Sequence, residues 1–324
     1  MKMDCTILIS HEIPLEGMER LKSCAQLLYP EGKGSFTDEE IGQLLPMADA
    51  MICAGGLTEN TMKHARRLKL IACYGAGYDK IDLAAASARG VPVVNIPDST
   101  ARSTAELALG LMLSVRRKIA RLDRSLRTDG EVRPLFSMGA DMGHSLDGAQ
   151  LGIIGMGHIG RCLKDMARAM GMKISYYNRR PLPPALSDLA VYRPLEQLLS
   201  ESDVVSIHCP LNQESQNLIN AETLALMKKD AVLINTARGG VVDMDALINA
   251  LSSGRLMGAG LDVYPDEPNV DERLFKLPNV VLTPHIGANT VETRIKMAQA
   301  CEARILDVLA GRRPANVVNP EVYG

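Results

Sequence analysis

Three residues in the last third of the chain have the types needed for acid–base chemistry on a small acid. Arg238 follows Leu233-Ile234-Asn235-Thr236-Ala237 and precedes Gly239-Gly240. Glu267 lies in Leu261-Asp262-Val263-Tyr264-Pro265-Asp266-Glu267-Pro268, and His285 in Leu282-Thr283-Pro284-His285-Ile286-Gly287. A guanidinium holds a carboxylate through paired hydrogen bonds. An imidazole can protonate a carbonyl oxygen as hydride reaches its carbon, general acid catalysis typically worth ~10²–10⁴ in rate. A carboxylate within ~4–6 Å favours the protonated imidazole by ~1–3 pK units. Taken singly, each has an ordinary structural use: a capping or salt-bridge Arg, an exposed turn Glu, a core His. The set carries the reading.

Hydride chemistry needs a carrier, and Leu151-Gly152-Ile153-Ile154-Gly155-Met156-Gly157-His158-Ile159-Gly160 supplies a place for one. A buried strand runs into G-x-G-x-x-G and then a helix. Gly155 makes the tight turn, Gly157 lets backbone approach a pyrophosphate, and Gly160 lets helix pack on strand. The helix opening at His158 and Ile159 presents N–H groups and a partial positive charge to phosphate. A site for NAD(H) expects an acid at the end of the next strand, bonded to the ribose 2′-hydroxyl. This chain has Asn178, then Arg179 and Arg180. A neutral amide beside two guanidinium groups welcomes a 2′-phosphate, so NADP(H) is expected to be preferred, with NAD(H) possible.

The elements that must hold these residues are legible as short β-branched and aliphatic runs alternating with helical patterns, the signature of parallel α/β architecture. Strands are predicted near 5–9, 25–29, 49–53, 70–73 and 91–94, with helices starting at Pro14, Thr37, Thr58 and Asp82. A second series has strands near 151–154, 173–177, 203–207, 231–235, 257–261 and 280–283, with helices starting near His158, Pro194, Asn220 and Asp243. Arg238, Glu267 and His285 follow the carboxyl ends of three of these strands, where open α/β sheets bind ligands. Two longer helices are predicted, one from about Thr100 to Arg127 and one from Thr290 to Leu309. The second carries Val291, Ile295, Ala298, Cys301, Ile305 and Val308 on one face, with Asn289 and Glu292 as a variant capping box. The fold class expected is therefore α/β with two Rossmann-like or flavodoxin-like parallel-sheet domains. A nucleotide-binding domain, 101–287, is inserted into a discontinuous substrate domain, 1–100 plus 288–324. The alternative is two consecutive domains split near 145.

Composition bounds the partners. The 324 residues carry a net charge of −2, so no basic field favours nucleic acid or an anionic membrane surface. With no Trp, three Phe and eight Tyr, base-stacking platforms are scarce. Seven Cys, at 5, 24, 53, 73, 162, 209 and 301, form no CxxC pair, which argues against a zinc site or disulfide framework and for a reducing cytoplasm. The N-terminus does not read as a signal peptide, and Leu107–Val115 is too short to span a bilayer. The basic residues Arg116, Arg117, Lys118, Arg121, Arg124 and Arg127 read as a solvated helix face.

GMGHIG, NTARGGVVD, LDVYPDEP and TPHIG together resemble the D-isomer-specific 2-hydroxyacid dehydrogenases, over nearly the whole chain and at that family's spacing. The Asn-Arg-Arg turn and PDSTARSTAELALGLML are most similar to the glyoxylate and hydroxypyruvate reductases. The resemblance implies reduction of a small 2-keto acid, a homodimer, and a dimerisation arm in 121–147 that here lacks the Trp often found there. It further implies that Asp262 meets the nicotinamide carboxamide, that Thr236-Ala237 lies beside the ring with Thr104 and Gly287 near it, and that Cys209-Pro210 flanks the adenosine. The backbone of Ala76 and Gly77 matches a loop that receives the substrate carboxylate, which suits Gly-rich N–H groups independently. Gly55-Gly56, on the neighbouring strand end, reads as pocket wall or as an ordinary turn. Lys80 departs from the uncharged residue expected in that loop. Formate dehydrogenases are disfavoured because they carry Gln at the position of Glu267. A phosphoglycerate dehydrogenase without a regulatory domain, and a nicotinamide-sensing corepressor that binds without turnover, stand as alternatives.

Overall fold

The computed structural model describes residues 5–130 and 141–324, and the chain folds as two compact units, Met1–Thr100 with Ala288–Gly324, and Ala101–Gly287. The first unit holds β1 (Thr6–Ile9), β2 (Gln26–Leu28), β3 (Ala50–Cys53), β4 (Ile71–Cys73) and β5 (Val93–Val94). They form an all-parallel sheet in the order β2-β1-β3-β4-β5, the flavodoxin-like winding. β3 and β4 are buried end to end, which is why they read as unbroken apolar runs. Thr37, Thr58 and Asp82 cap the helices that follow them, each accepting a backbone N–H.

The helix Val291–Leu309 covers one face of this sheet. Its Met297, Ala298, Cys301 and Ile305 share a core with Ile7, Ile9, Ile52 and Ala72. Two expectations for it need correction. Val291 is 72% exposed and Met297 takes its place in the buried stripe. The cap is Thr290, accepting from Thr293 N, one residue later than the Asn289–Glu292 box.

The second unit holds β6 (Gln150–Ile154), β7 (Lys173–Tyr177), β8 (Val191–Tyr192), β9 (Val204–Ile207), β10 (Val232–Asn235), β11 (Gly258–Leu261) and β12 (Val280–Leu282). The seven parallel strands run β12-β11-β10-β9-β6-β7-β8, the Rossmann order with one strand added. The topological switch point lies between β6 and β9. β8, not expected from the sequence, has only two residues and is tied to β7 by an edge-to-face contact of Tyr176 and Tyr192, 5.6 Å between centroids.

The single helix expected over 100–127 is two, Pro97–Arg116 and Ile119–Asp129, with Lys118 left-handed at φ 55° between them. Packing explains the break. His144 donates its N–H to the Arg116 carbonyl at 2.9 Å, an acceptor a continuous helix would spend on its own next turn. Lys118, Arg121 and Arg124 then line a cavity of about 580 Å³ with Asp230, Asn279 and Val280, both arginines still exposed as expected, whereas Arg116 is buried, its Nη2 donating to the Ser145 carbonyl at 2.8 Å, and so leaves the solvated face. That cavity sits at the amino ends of β10–β12, opposite the ends where such sheets bind ligands.

Candidate active site

The glycine turn between β6 and the helix His158–Ala169 lies at the switch point. Gly155 adopts φ 95°, and a Cβ there would come within 2.5 Å of Cys209 N and 2.7 Å of the His208 carbonyl carbon. Both conformation and space therefore demand glycine, and Cys209 is brought against the turn. A Cβ on Gly160 would lie 2.5 Å from the Gly155 carbonyl oxygen, the close helix–strand contact assigned to the third glycine. Gly157 differs: nothing lies within 4 Å of a Cβ built there, and as the helix N-cap it offers no side chain to the first N–H groups. Open space beside uncapped N–H donors fits a pyrophosphate.

Asn178, at the end of β7, accepts from Met156 N through Oδ1 at 2.8 Å and so braces the turn. With its oxygen committed, the amide has donors left to offer a ligand. Arg179 and Arg180 are exposed beside it, and Arg179 Nη1 lies 2.6 Å from Glu214 Oε2, a pairing the sequence gave no reason to expect. Pro210, on the same loop as Glu214, accepts from Ser215 Oγ at 2.7 Å.

The ends of β10, β11 and β12 carry the three candidate catalytic residues. Asn235, buried at the end of β10, donates to the Arg238 carbonyl at 2.9 Å and accepts from Ala237 N at 3.0 Å. This shapes the Thr236-Ala237-Arg238 turn. Arg238 Nη1 also donates to the Ala237 carbonyl at 2.7 Å. A Cβ on Gly239 would collide with the Tyr264 carbonyl carbon and Pro265 N, so only glycine lets the β10 and β11 loops meet.

His285 Nδ1 lies 2.9 Å from Glu267 Oε2, and Glu267 Oε1 accepts from Tyr264 N at 3.1 Å. The imidazole is 47% exposed and the carboxylate 21%, so the pair faces outward from a supported base. Tyr264 joins the two loops, its hydroxyl donating to the Thr283 carbonyl at 2.9 Å; burial, then the Asp262 and Glu267 charges, push it up to about 12.

Asp262 is fully buried, and three donors converge on it. Thr283 Oγ1 donates to Oδ1 at 2.6 Å, Ile286 N to Oδ1 at 2.8 Å and Gly287 N to Oδ2 at 2.9 Å. The bonds straddle His285, which is left-handed at φ 54°. Thr104 flanks the same loop, its Cγ2 3.2 Å from a Cβ built on Gly287. His208, missed by sequence reasoning, bonds Ser206 Oγ through Nε2 at 2.8 Å, and burial pushes it down to about 3, so it stays neutral. Burial likewise pushes the Cys209 thiol up to about 11.

In the first unit, the loop after β4 has its carbonyls engaged. Gly75 O accepts from Ile96 N at 3.0 Å and Ala76 O from Asn95 Nδ2 at 2.8 Å. Trans peptides then direct the N–H groups of Ala76 and Gly77 the opposite way, as two donors on one loop. Gly55 and Gly56 follow β3, with His11 Cε1 3.1 Å from a Cβ on Gly55 and the Lys80 carbonyl 3.2 Å from one on Gly56. That carbonyl also accepts from Leu57 N at 3.0 Å, so Lys80 serves the loop through its backbone while its side chain is exposed. All seven thiols are free. Among the described residues no helix is long and apolar enough to cross a membrane, and no group of His, Cys, Asp and Glu could hold a metal ion.

A family model for the D-isomer specific 2-hydroxyacid dehydrogenase NAD binding domain matches residues 109–287. The chain belongs to the D-isomer specific 2-hydroxyacid dehydrogenase family. This dehydrogenase is 44% identical over 269 residues to a glyoxylate reductase of Thermococcus litoralis, covering 81% of this chain and 80% of that one. It is 37% identical to a glyoxylate reductase of Pyrococcus furiosus over 98% of this chain and 96% of the relative. Among solved structures, an NADPH-dependent glyoxylate/hydroxypyruvate reductase of Sinorhizobium meliloti in complex with NADP and malonate superposes with a TM-score of 0.86 at 29% identity, over 98% of this chain and 97% of that one. The dehydrogenase thus acts on small keto or hydroxy acids with a nicotinamide cofactor.

Proposed function

We propose that this dehydrogenase reduces a 2-keto acid of the glyoxylate or hydroxypyruvate type to the D-2-hydroxy acid, preferring NADP(H) while accepting NAD(H). The carrying observation is the Glu267–His285 pair at 2.9 Å, supported from behind by Tyr264 N. When bound, the reduced nicotinamide supplies hydride to the keto carbon. With Nδ1 turned to Glu267, His285 delivers its proton from Nε2 to the keto oxygen. Glu267 compensates the imidazolium charge before transfer and orients the ring. Arg238 receives the substrate carboxylate. The N–H pair of Ala76 and Gly77 and the neighbouring Gly55-Gly56 turn are the first unit's candidates for substrate contact. Gly155, Gly157, His158, Ile159 and Gly160 would hold the pyrophosphate. Thr104, Thr236, Ala237, Asp262 and Gly287 are assigned to the nicotinamide side, Cys209 and Pro210 to the adenosine. Asn178, Arg179 and Arg180 favour a 2′-phosphate, and the NADPH dependence in the name of the Sinorhizobium meliloti relative agrees with that choice.

A homodimer in a reducing cytoplasm completes the proposal. Of the arm at 121–147, residues 131–140 lie outside the described residues; light scattering of the purified protein reads the assembly directly. The activity is tested by following nicotinamide absorbance with NADPH or NADH and a panel of glyoxylate, hydroxypyruvate, 3-phosphohydroxypyruvate and bulkier 2-keto acids. Faster turnover of the two small acids with NADPH is expected. Preference for the phosphorylated acid would move the chain to the phosphoglycerate branch, and no turnover across the panel would overturn the reading.

A further inference from the structure

The Arg179–Glu214 pair stands where cofactor choice is made. β7 and β9 both neighbour β6, so the loops after them bracket the glycine turn. On one side Asn178 holds Met156 N; on the other, Cys209 packs against Gly155. Arg179 reaches from the first loop and Glu214 from the second, meeting at 2.6 Å. The Glu214 side is braced, because Asn212 Oδ1 accepts from both Glu214 N and Ser215 N at 3.0 and 3.1 Å. A guanidinium is the natural partner of a 2′-phosphate, yet here it already has a carboxylate.

We propose that Glu214 sets the limit on discrimination between NADP(H) and NAD(H), as a counter-charge that holds Arg179 when no 2′-phosphate is present. This rests on the cofactor site read above. A 2′-phosphate must displace Glu214 from Arg179 before the guanidinium can serve it. A 2′-hydroxyl asks for no such displacement, so NAD(H) binds with the ion pair intact. Glu214 thereby costs affinity for one cofactor and leaves the other untouched. Both side chains are well exposed, so the effect is moderate and weakens with added salt.

The test is calorimetric titration of NADPH and NADH into the wild type, Glu214→Gln, Arg179→Gln and the double variant at low salt. Glu214→Gln is expected to tighten NADPH about two- to fivefold and to leave NADH unchanged within experimental error, the range open to an exposed charge pair. Glu214→Lys should extend the gain. In the Arg179→Gln background the gain should vanish. An unchanged ratio of NADPH to NADH affinity in Glu214→Gln, or a gain that persists without Arg179, would overturn the proposal. Failure of the wild type to bind either nucleotide would instead overturn the cofactor site itself, and the proposal with it.

Discussion

Asp262→Asn is the most informative single change, because two accounts of the residue predict different results. In the structure the carboxylate is buried and takes three hydrogen bonds, all from the strand end and loop that carry His285. An amide of the same shape can accept on one atom only. Either the Gly287 N–H or the Ile286 N–H must then face an NH₂ group. Losing one charge-assisted bond costs about 1.5–3 kcal/mol, and weakening the others to neutral bonds about 1 kcal/mol each. Relaxing His285 from its left-handed conformation returns about 1–2 kcal/mol. The net loss is about 2–4 kcal/mol, equivalent to a fall in Tm of roughly 5–15 °C for a unit of this size. With the loop released, the imidazole shifts, and misplacement by ~1 Å costs on the order of 10²-fold in rate. The variant should therefore lose thermal stability without nucleotide, as read by calorimetry, and lose kcat. Were Asp262 chiefly a contact to the nicotinamide carboxamide, nucleotide-free stability would hold and NADPH affinity would fall. An Asp262→Asn protein with wild-type Tm and kcat would refute the positioning argument. Thr283→Ala, which removes one of the three bonds, should show a smaller loss of the same kind.

Three further outcomes follow from the geometry. His285→Ala should lower kcat for keto-acid reduction by ~10²–10⁴ while leaving the calorimetric Kd for NADPH nearly unchanged; substantial residual activity would remove it from proton transfer. Gly155→Ala should destabilise the nucleotide-free protein, since the φ and the space at Cys209 N both exclude a Cβ, whereas Gly157→Ala should keep apo Tm and weaken NADPH binding; equal Tm losses would undo the distinction. At Asp49 burial raises the carboxyl, but Thr6 N, Lys69 and Arg67 outweigh it, and at Asp203 Gln150 N, Lys228 and Arg116 do the same, so both are lowered. The stability these groups add is complete above the ordinary carboxylate value of ~3.9 and is lost as pH falls through their lower folded values. Urea midpoints should accordingly hold down to about pH 5 and fall below ~3.9, less steeply in Asp203→Asn; a variant that falls as steeply as the wild type would contradict this.

The parallel α/β class, most strand positions and the helix starts at Thr37, Thr58, Asp82, Asn220 and Asp243, each of which proves to be the cap, were legible in the sequence, because each is set by residues next to one another. Buried parallel strands announce themselves as apolar runs, and capping is local chemistry. What escaped depends on partners far along the chain. Nothing in Val115-Arg116-Arg117-Lys118-Ile119 signals a break, since the competing donor is His144. The ties of Asp262 to 283–287 arise only once β11 and β12 lie side by side. Glu214 meets Arg179 only because both flank β6. β8 is too short to show alternation, and its Tyr192 contact lies across from β7.

Arg238, Asp262, Glu267 and His285 all fall in the uninterrupted run 235–287, and so do the backbone and side-chain groups that brace them: Asn235, Gly239, Tyr264, Thr283, Ile286 and Gly287. The proposed chemistry is thus encoded in one piece. On the roles proposed above, a single exchange of this stretch between relatives would carry proton donor, counter-charge and supporting carboxylate together, already fitted to one another. The glycine turn, the Arg179–Glu214 pair and the loops after β3 and β4 lie outside it. Cofactor and substrate preference can therefore diverge by edits elsewhere in the chain while the stretch itself is passed on unchanged.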